Sequence, residues 1–202
     1  MNFSGLVERF HKGIHRPLFR YVNDHSIYPT SPKSNHMLTL ILLRHADAET
    51  CFADEDHNRK LTSKGRAQAA SVGKIIKGWG VAPEMFFSSD ATRALTTSSI
   101  VAREISFDPK EVVTAPFLYD SYTTQDMLSY ISRKADNMNG RVAECVIIVA
   151  HNPDVTFRAD TLLKEGLQVA FPTAGALAIL FDADKWDDVS ARSGSILRSS
   201  FL

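Results

Sequence analysis

Three apolar runs in this chain each end on side chains suited to an anion. Leu40-Ile41-Leu42-Leu43 leads into Arg44-His45. Met85-Phe86-Phe87 leads through Ser88-Ser89-Asp90 to Arg93, and Val146-Ile147-Ile148-Val149 leads through Ala150 to His151. In open α/β sheets, ligands bind outside the carboxyl ends of the strands. Three strand ends that present Arg or His therefore predict one shared anion pocket. The matching chemistry is phosphoryl transfer, where charge spreads over equatorial oxygens and catalysis is mainly positioning and charge stabilisation. Arginine suits this task because its planar fork donates paired hydrogen bonds and keeps its charge at any working pH. Arg44 and Arg93 are the candidates for the phosphoryl oxygens. Arg93 falls in the first turn of a predicted helix, whose free N–H groups and positive dipole end attract the same anion. His45 is the candidate nucleophile: one neutral ring nitrogen attacks phosphorus in line, while the other donates to an acceptor that fixes the tautomer. Water would then hydrolyse the phosphohistidine.

Two further elements join these three. Asp56-His57-Asn58-Arg59-Lys60-Leu61-Thr62-Ser63-Lys64-Gly65 reads D-x-x-R-x-L-T-x-x-G, and Pro172-Thr173-Ala174-Gly175-Ala176 precedes a last apolar run. In this order, with Arg44-His45-Ala46-Asp47-Ala48-Glu49, Ser88-Ser89-Asp90-Ala91-Thr92-Arg93-Ala94 and Ala150-His151-Asn152-Pro153, the chain resembles the histidine phosphatase superfamily. Within it the chain resembles the small SixA-like phosphohistidine phosphatases, and the resemblance covers residues 38–182. The resemblance implies a phosphoglycerate mutase-like fold, a three-layer α/β/α sandwich around a mostly parallel sheet. It also implies that His151 is the family's second histidine, protonated and bound to a phosphoryl oxygen.

Larger superfamily members place a carboxylate to protonate an alcohol leaving group. Asp120, in Phe117-Leu118-Tyr119-Asp120-Ser121-Tyr122, stands at about that place and is the candidate general acid, with Asp47 and Asp56 as lesser candidates. The small branch manages without a dedicated acid. That suits phosphohistidine, whose P–N bond is labile and whose imidazole departs with far less help than an alkoxide. Arg59 ends the loop before the first predicted helix and is a candidate substrate contact at the pocket rim. Pairing with Asp54, Glu55 or Asp56 at the surface is the equal alternative. Members that act on small metabolites carry a long insertion over the pocket. The spacings from His45 to Arg93 and from Arg93 to His151 leave little room for one, which predicts an open pocket.

The resulting expectation is an enzyme without metal or other cofactor that dephosphorylates a phosphohistidine-bearing protein through phospho-His45. One alternative is a phosphatase of small phosphate esters with Asp120 as acid. Another is a non-catalytic module that binds phosphate or phosphoproteins. A mutase ranks lower, for want of a roof over the pocket.

Other chemistries fail on spacing. A cysteine phosphatase needs Arg six positions after its Cys, but Cys51 and Cys145 are followed there by His57 and His151. Asp182-Ala183-Asp184 after an apolar run imitates an aspartate nucleophile, yet only 18 residues remain to supply the other elements. His11 and His15 have metal-ligand spacing without an intervening glutamate or a third ligand. Gly73 and Gly78 match the start of a phosphate loop, but Trp79 stands where its lysine belongs.

Alternating signals must position the pocket. Strands are predicted over residues 38–43, 85–87, 111–115, 145–150, 177–181 and 195–202. Helices are predicted over residues 62–77 with Thr62 as N-cap, 91–105 capped by Asp90, 125–138, and after Asp154. Strands alternating with helices imply a mostly parallel sheet covered on both faces.

At 202 residues, 44% hydrophobic and 23% charged with zero formal net charge, the chain reads as one globular domain of residues 37–202 behind an extension. The neutral balance argues against nucleic acid as a partner. No apolar run reaches the 18 or so residues that span a bilayer, and no secretory signal opens the chain. Two cysteines suggest no disulfide framework, so a reducing cytoplasm is the default expectation. Cys145 reads as a packed hydrophobe and Cys51 as a thiol blunted by acidic neighbours.

Residues 1–36 carry Arg9, Lys12, Arg16, Arg20 and Lys33 against Glu8 and Asp24, with Phe3, Leu6, Val7, Phe10 and Ile14 near one helical face. A short amphipathic helix and a linker are expected. Docking on the chain's own domain or a loose tail ranks first, membrane-surface or partner contact second, and an organellar presequence third. The sequence carries no signal of oligomeric state.

Overall fold

The computed structural model describes residues 36–50 and 53–202. The amphipathic stripe and linker, the His11/His15 pair and Cys51 lie outside those residues. Six strands form one sheet: β1 (Met37–Arg44), β2 (Met85–Ser88), β3 (Val113–Thr114), β4 (Cys145–Ala150), β5 (Ala176–Asp182) and β6 (Ser195–Ser199). Their order is β3-β2-β4-β1-β5-β6. The first four run parallel, while β5 is antiparallel to β1 and β6 to β5. The sheet is thus mostly parallel, with an antiparallel margin.

Strands covered on both faces lack an alternating polar set and read as continuous apolar runs, which is why β1 and β4 stand out in the sequence. Successive side chains still point to opposite faces. Leu38, Leu40, Leu42, Val146 and Ile148 pack with Met127, Leu128 and Ile131 of α3 (Thr124–Ala135) and Val155 and Leu162 of α4 (Asp154–Leu162). Ile41, Leu43, Ile147 and Val149 pack with Val72 and Ile76 of α1 (Ser63–Gly78) and Val101 of α2 (Thr92–Glu104). The result is the expected three-layer sandwich. A one-residue slip of β1 would exchange its two apolar sets between the cores.

Local chemistry sets the helix starts. Thr62 caps α1 by accepting the Gly65 N–H, as expected. Thr123 and Asp126 form a reciprocal capping box at α3 that the sequence reading did not assign. Asp90 does not cap α2: the N-cap is Ala91, without a side-chain cap. The Ala91 N–H instead donates to Ser89 Oγ at 3.3 Å. Asp90 Oδ1 lies 3.2 Å from His57 Nε2 but is not aligned for a hydrogen bond. The strand expected over 111–115 is only two residues long, because 3-10 turns at Pro109–Glu111 and Pro116–Leu118 bracket it. Asp182 pairs with Met37, at the opposite end of β1 from His45.

Candidate active site

Strand register brings the chemistry together. Arg44 pairs with Ala150 and Ser88 with Val149, so β1, β4 and β2 end side by side. Backbone bonds carry this alignment past the strands: His45 N–H donates to Ala150 O at 3.1 Å, and Ser89 N–H to Val149 O at 3.0 Å. His45, Arg93 and His151 are all buried, at 7%, 5% and 8% exposure.

The loops around His45 explain two of the sequence elements. Thr62 donates its N–H to Asp47 O at 3.1 Å and its hydroxyl to Asp47 Oδ2 at 2.6 Å, docking α1 on the segment behind the nucleophile. A Cβ on Gly65 would stand 1.9 Å from Asp47 O, so only glycine permits this approach. Asp47 is therefore a structural residue that fixes the start of α1. On the other side, Arg44 N–H donates to Gly175 O at 3.0 Å and Ala174 N–H to His45 O at 3.2 Å. The 172–176 element is the strap that holds the Arg44-His45 backbone from β5.

His45 Nδ1 lies 2.8 Å from Ala46 O. A carbonyl only accepts, so Nδ1 carries the ring proton and Nε2 keeps its lone pair. Arg93 Nε donates to that Nε2 at 3.3 Å. Burial lowers the His45 pKa to about 4; the Ala46 bond opposes this, and Arg93, Arg44 and Arg59 add to it. The imidazole is therefore neutral, the form a nucleophile needs.

The His151 ring centroid lies 5.0 Å from that of His45. Its Nε2 is 2.8 Å from Ser89 Oγ, and its buried Nδ1 has no hydrogen-bond partner in the protein. Burial, then the neighbouring His45 and Arg93, push its pKa down to about 3 against a smaller pull from Asp56. Burial first, and these charges after it, favour the neutral ring in the unliganded protein, where the resemblance implied a protonated one. A phosphoryl dianion against the ring would favour the protonated form.

Arg44 Nη1 donates to Phe171 O at 2.9 Å, beside the Asn152 amide that donates to the same oxygen at 2.9 Å. Its Nε is buried without a partner. Arg93 Nη1 and Nη2 donate to Asp56 O and Oδ2 at 2.6 and 2.8 Å. Asp56 belongs to a 3-10 turn, Ala53–Asn58, so a short turn lies over Arg93 with no long insertion needed. Asp56 also accepts from Arg59 Nη1 and from the Tyr119 hydroxyl, each at 2.9 Å. Burial works to raise this carboxyl, but the Arg59 and Tyr119 hydrogen bonds and the Arg93 charge hold it down at about 2. Arg59 pairs with Asp56, the surface alternative, and its charge adds to the lowering of the His45 pKa.

Asp120 is exposed, and it is the adjacent Tyr119 that faces the cluster, through Asp56 and edge-on to His151 at 5.5 Å. Tyr119, Ser89 and Thr97 were not assigned roles from sequence. Thr97 Oγ1 donates to Arg93 O at 2.7 Å and accepts Ala46 N–H at 3.1 Å, tying α2 to the nucleophile loop. Ser89 lies just past the end of β2, one residue further from its apolar run than Arg44 or His151 stands from its own. Tyr119 carried no comparable signal.

Sequence comparison adds to the geometry. The histidine phosphatase superfamily (branch 1) matches residues 40–120, the segment holding Arg44, His45, Asp56 and Arg93. Over that segment the chain is similar to this superfamily. It is 28% identical over 176 residues to an uncharacterized chloroplastic protein of Arabidopsis thaliana, covering 84% of this chain and 78% of that one. It is 34% identical over 79 residues to the mitochondrial serine/threonine-protein phosphatase Pgam5 of Drosophila melanogaster, a match that spans only 27% of that relative.

Among solved structures, the fold matches a SixA protein of Nakamurella multipartitia with a TM-score of 0.67 at 21% identity, covering 83% of this chain and 97% of that one. It matches a protein histidine phosphatase SixA complexed with tungstate with a TM-score of 0.66 at 21% identity, over 80% and 96% of the two chains. These likenesses show the phosphoglycerate mutase-like fold. Among the described residues no helix is long and apolar enough to cross a membrane. These two relatives are designated chloroplastic and mitochondrial.

Proposed function

We propose that this chain is a phosphohistidine phosphatase that hydrolyses phosphate from a protein histidine through a covalent phosphohistidine at His45. The observation that carries the reading is the state of His45: neutral, with Nδ1–H spent on Ala46 O and the Nε2 lone pair beside Arg93. Nε2 attacks phosphorus as the P–N bond to the leaving imidazole breaks. Arg44, Arg93 and His151 receive the phosphoryl oxygens. Water then attacks phospho-His45, and the P–N bond electrons return to Nε2 as phosphate leaves. Arg59 acts at the rim, bracing Asp56 and adding positive charge.

The leaving group supports an N-phosphate. An alkoxide needs a proton from a group with a pKa near working pH. Asp56, the carboxylate in the cluster, is held at about 2 and stays ionised, and Asp120 is exposed. An imidazole leaving group makes little demand on either. The Pgam5 relatives favour a second reading, since they are named as serine/threonine-protein phosphatases. That reading, like turnover of small esters, requires an acid and assigns it to Asp120.

The deciding experiment measures phosphate release from a phosphohistidine-bearing protein, beside phosphoserine protein and small monoesters. Wild type should release phosphate from the first, and a quenched reaction should hold acid-labile, alkali-stable phosphate on the enzyme. His45→Ala should show neither. Turnover confined to O-phosphates, abolished in Asp120→Asn, would move the assignment to an ester phosphatase. Phosphate binding without turnover on any substrate would leave a binding module.

A further inference from the structure

We infer that Ser89 is a positioning residue that sets the tautomer of His151, holding the ring proton on Nδ1 so that neutral His151 donates to a phosphoryl oxygen. The inference rests on the proposed phosphate-binding role of the pocket and deepens it.

Protons and lone pairs around Ser89 decide between the two tautomers. Ser89 is fully buried, and its hydroxyl has one proton and two acceptor sites. The Ala91 N–H points at Ser89 Oγ from 3.3 Å and fills one acceptor site. The ring contact, Ser89 Oγ to His151 Nε2 at 2.8 Å, admits two arrangements. If Nε2 carries the ring proton, it donates to the serine. The serine proton is then left without a partner among the protein's atoms, at the penalty of an unmade buried hydrogen bond. Nδ1 would also turn a lone pair toward any phosphoryl oxygen. If Ser89 donates to Nε2, both the hydroxyl and Nε2 are satisfied, and the ring proton must sit on Nδ1. That atom is the buried one with no partner in the protein.

The surroundings act in the same direction. Burial first, then His45, Arg93 and to a lesser extent His57 work against a second ring proton, while Asp56 favours one. His151 therefore needs no cationic form to donate. It arrives as a neutral donor already oriented, and the helix N-terminus orients it by way of the serine.

The test is two-bond 1H–15N correlation spectroscopy on the full chain with 15N-labelled histidine, with His151→Gln to assign the resonances. Wild type at neutral pH should show His151 with Nδ1 protonated and Nε2 bare; the opposite pattern overturns the inference. Ser89→Ala should move the ring toward the Nε2–H form and weaken tungstate binding roughly tenfold or more, the loss of one hydrogen bond to a charged group. Ser89→Thr, which keeps the hydroxyl, should restore the wild-type pattern. An unchanged tautomer and unchanged tungstate affinity in Ser89→Ala would remove the serine from the account. The spectrum is read without substrate, so an Nδ1–H ring in a protein with no phosphatase activity would sink the functional reading and leave the tautomer standing.

Discussion

The neutral histidine pair makes stability fall steeply with acid, by an amount the site itself sets. Unfolded, His45 and His151 titrate near 6.5; folded, they are held at about 4 and about 3. The unfolded chain therefore binds more protons between those values, and stability rises with pH across that window. The contribution is complete above about pH 7.5 and is lost as pH falls through 6.5 toward 4. At pH 5 nearly every unfolded imidazole is charged while both folded rings remain neutral. Each histidine then contributes about 2 kcal/mol of destabilisation, about 4 kcal/mol together. Against total domain stabilities of about 5–15 kcal/mol, this is a large share. Asp56, held at about 2 against an ordinary 3.8, loses its own contribution only as pH falls below 3.8, outside the window. Urea unfolding at pH 8, 7, 6 and 5 reads the effect. With a slope of about 2 kcal/mol per molar urea, the midpoint should drop by roughly 2 M from pH 8 to pH 5. His45→Gln and His151→Gln should each recover about half of that drop, and the double variant most of it. A midpoint independent of pH, or one falling as steeply in the double variant, would refute the claim that burial holds these rings neutral.

Asp56→Asn should tighten inorganic phosphate binding roughly tenfold, because a carboxylate no longer competes for Arg93; a charge-assisted hydrogen bond is worth about 1.5–3 kcal/mol. Competitive inhibition constants measure this, and weaker binding would show that Asp56 chiefly orients Arg93. Gly65→Ala should cost about 1–3 kcal/mol or more, since its Cβ would overlap Asp47 O at 1.9 Å. A lowered Tm together with lost activity would report the displaced nucleophile loop, and an unchanged Tm would contradict the packing. Asp120→Asn should leave kcat on phosphohistidine within about twofold, whereas loss of a general acid removes about 10²–10⁴-fold.

The strand-end residues were legible because two adjacent facts travel together in sequence: an apolar run long enough to be a buried strand, and Arg or His directly behind it. Parallel β1 and β4 then place Arg44 and His151 beside each other through register alone. Arg93 was legible through the short, regular offset from β2 into α2. What stayed hidden lies in contacts between loops. Tyr119 reaches the cluster only because a 3-10 turn at Pro116–Leu118 points it there, while sequence chemistry favoured the neighbouring Asp120. The Asp90 cap failed on an offset of one residue. Its identity fitted the position, but α2 starts at Thr92, which makes Ala91 the N-cap. The roles of Asp47 and Gly65 depend on the distance between two backbones, which residue type alone does not state.

The histidine states connect these local details to the chemistry. A pocket built from two permanent cations already supplies the charge a phosphoryl dianion requires. Adding two imidazolium ions before the ligand arrives would only increase repulsion within the folded chain. Burial resolves this by neutralising both rings, and each ring then needs a hydrogen-bond partner to choose its tautomer. Ala46 O makes that choice for His45, leaving a bare nitrogen for attack. On the proposed assignment Ser89 makes the complementary choice for His151, leaving a proton for donation. One residue type thus fills opposite roles 5.0 Å apart, with the difference carried by a carbonyl on one side and a hydroxyl on the other.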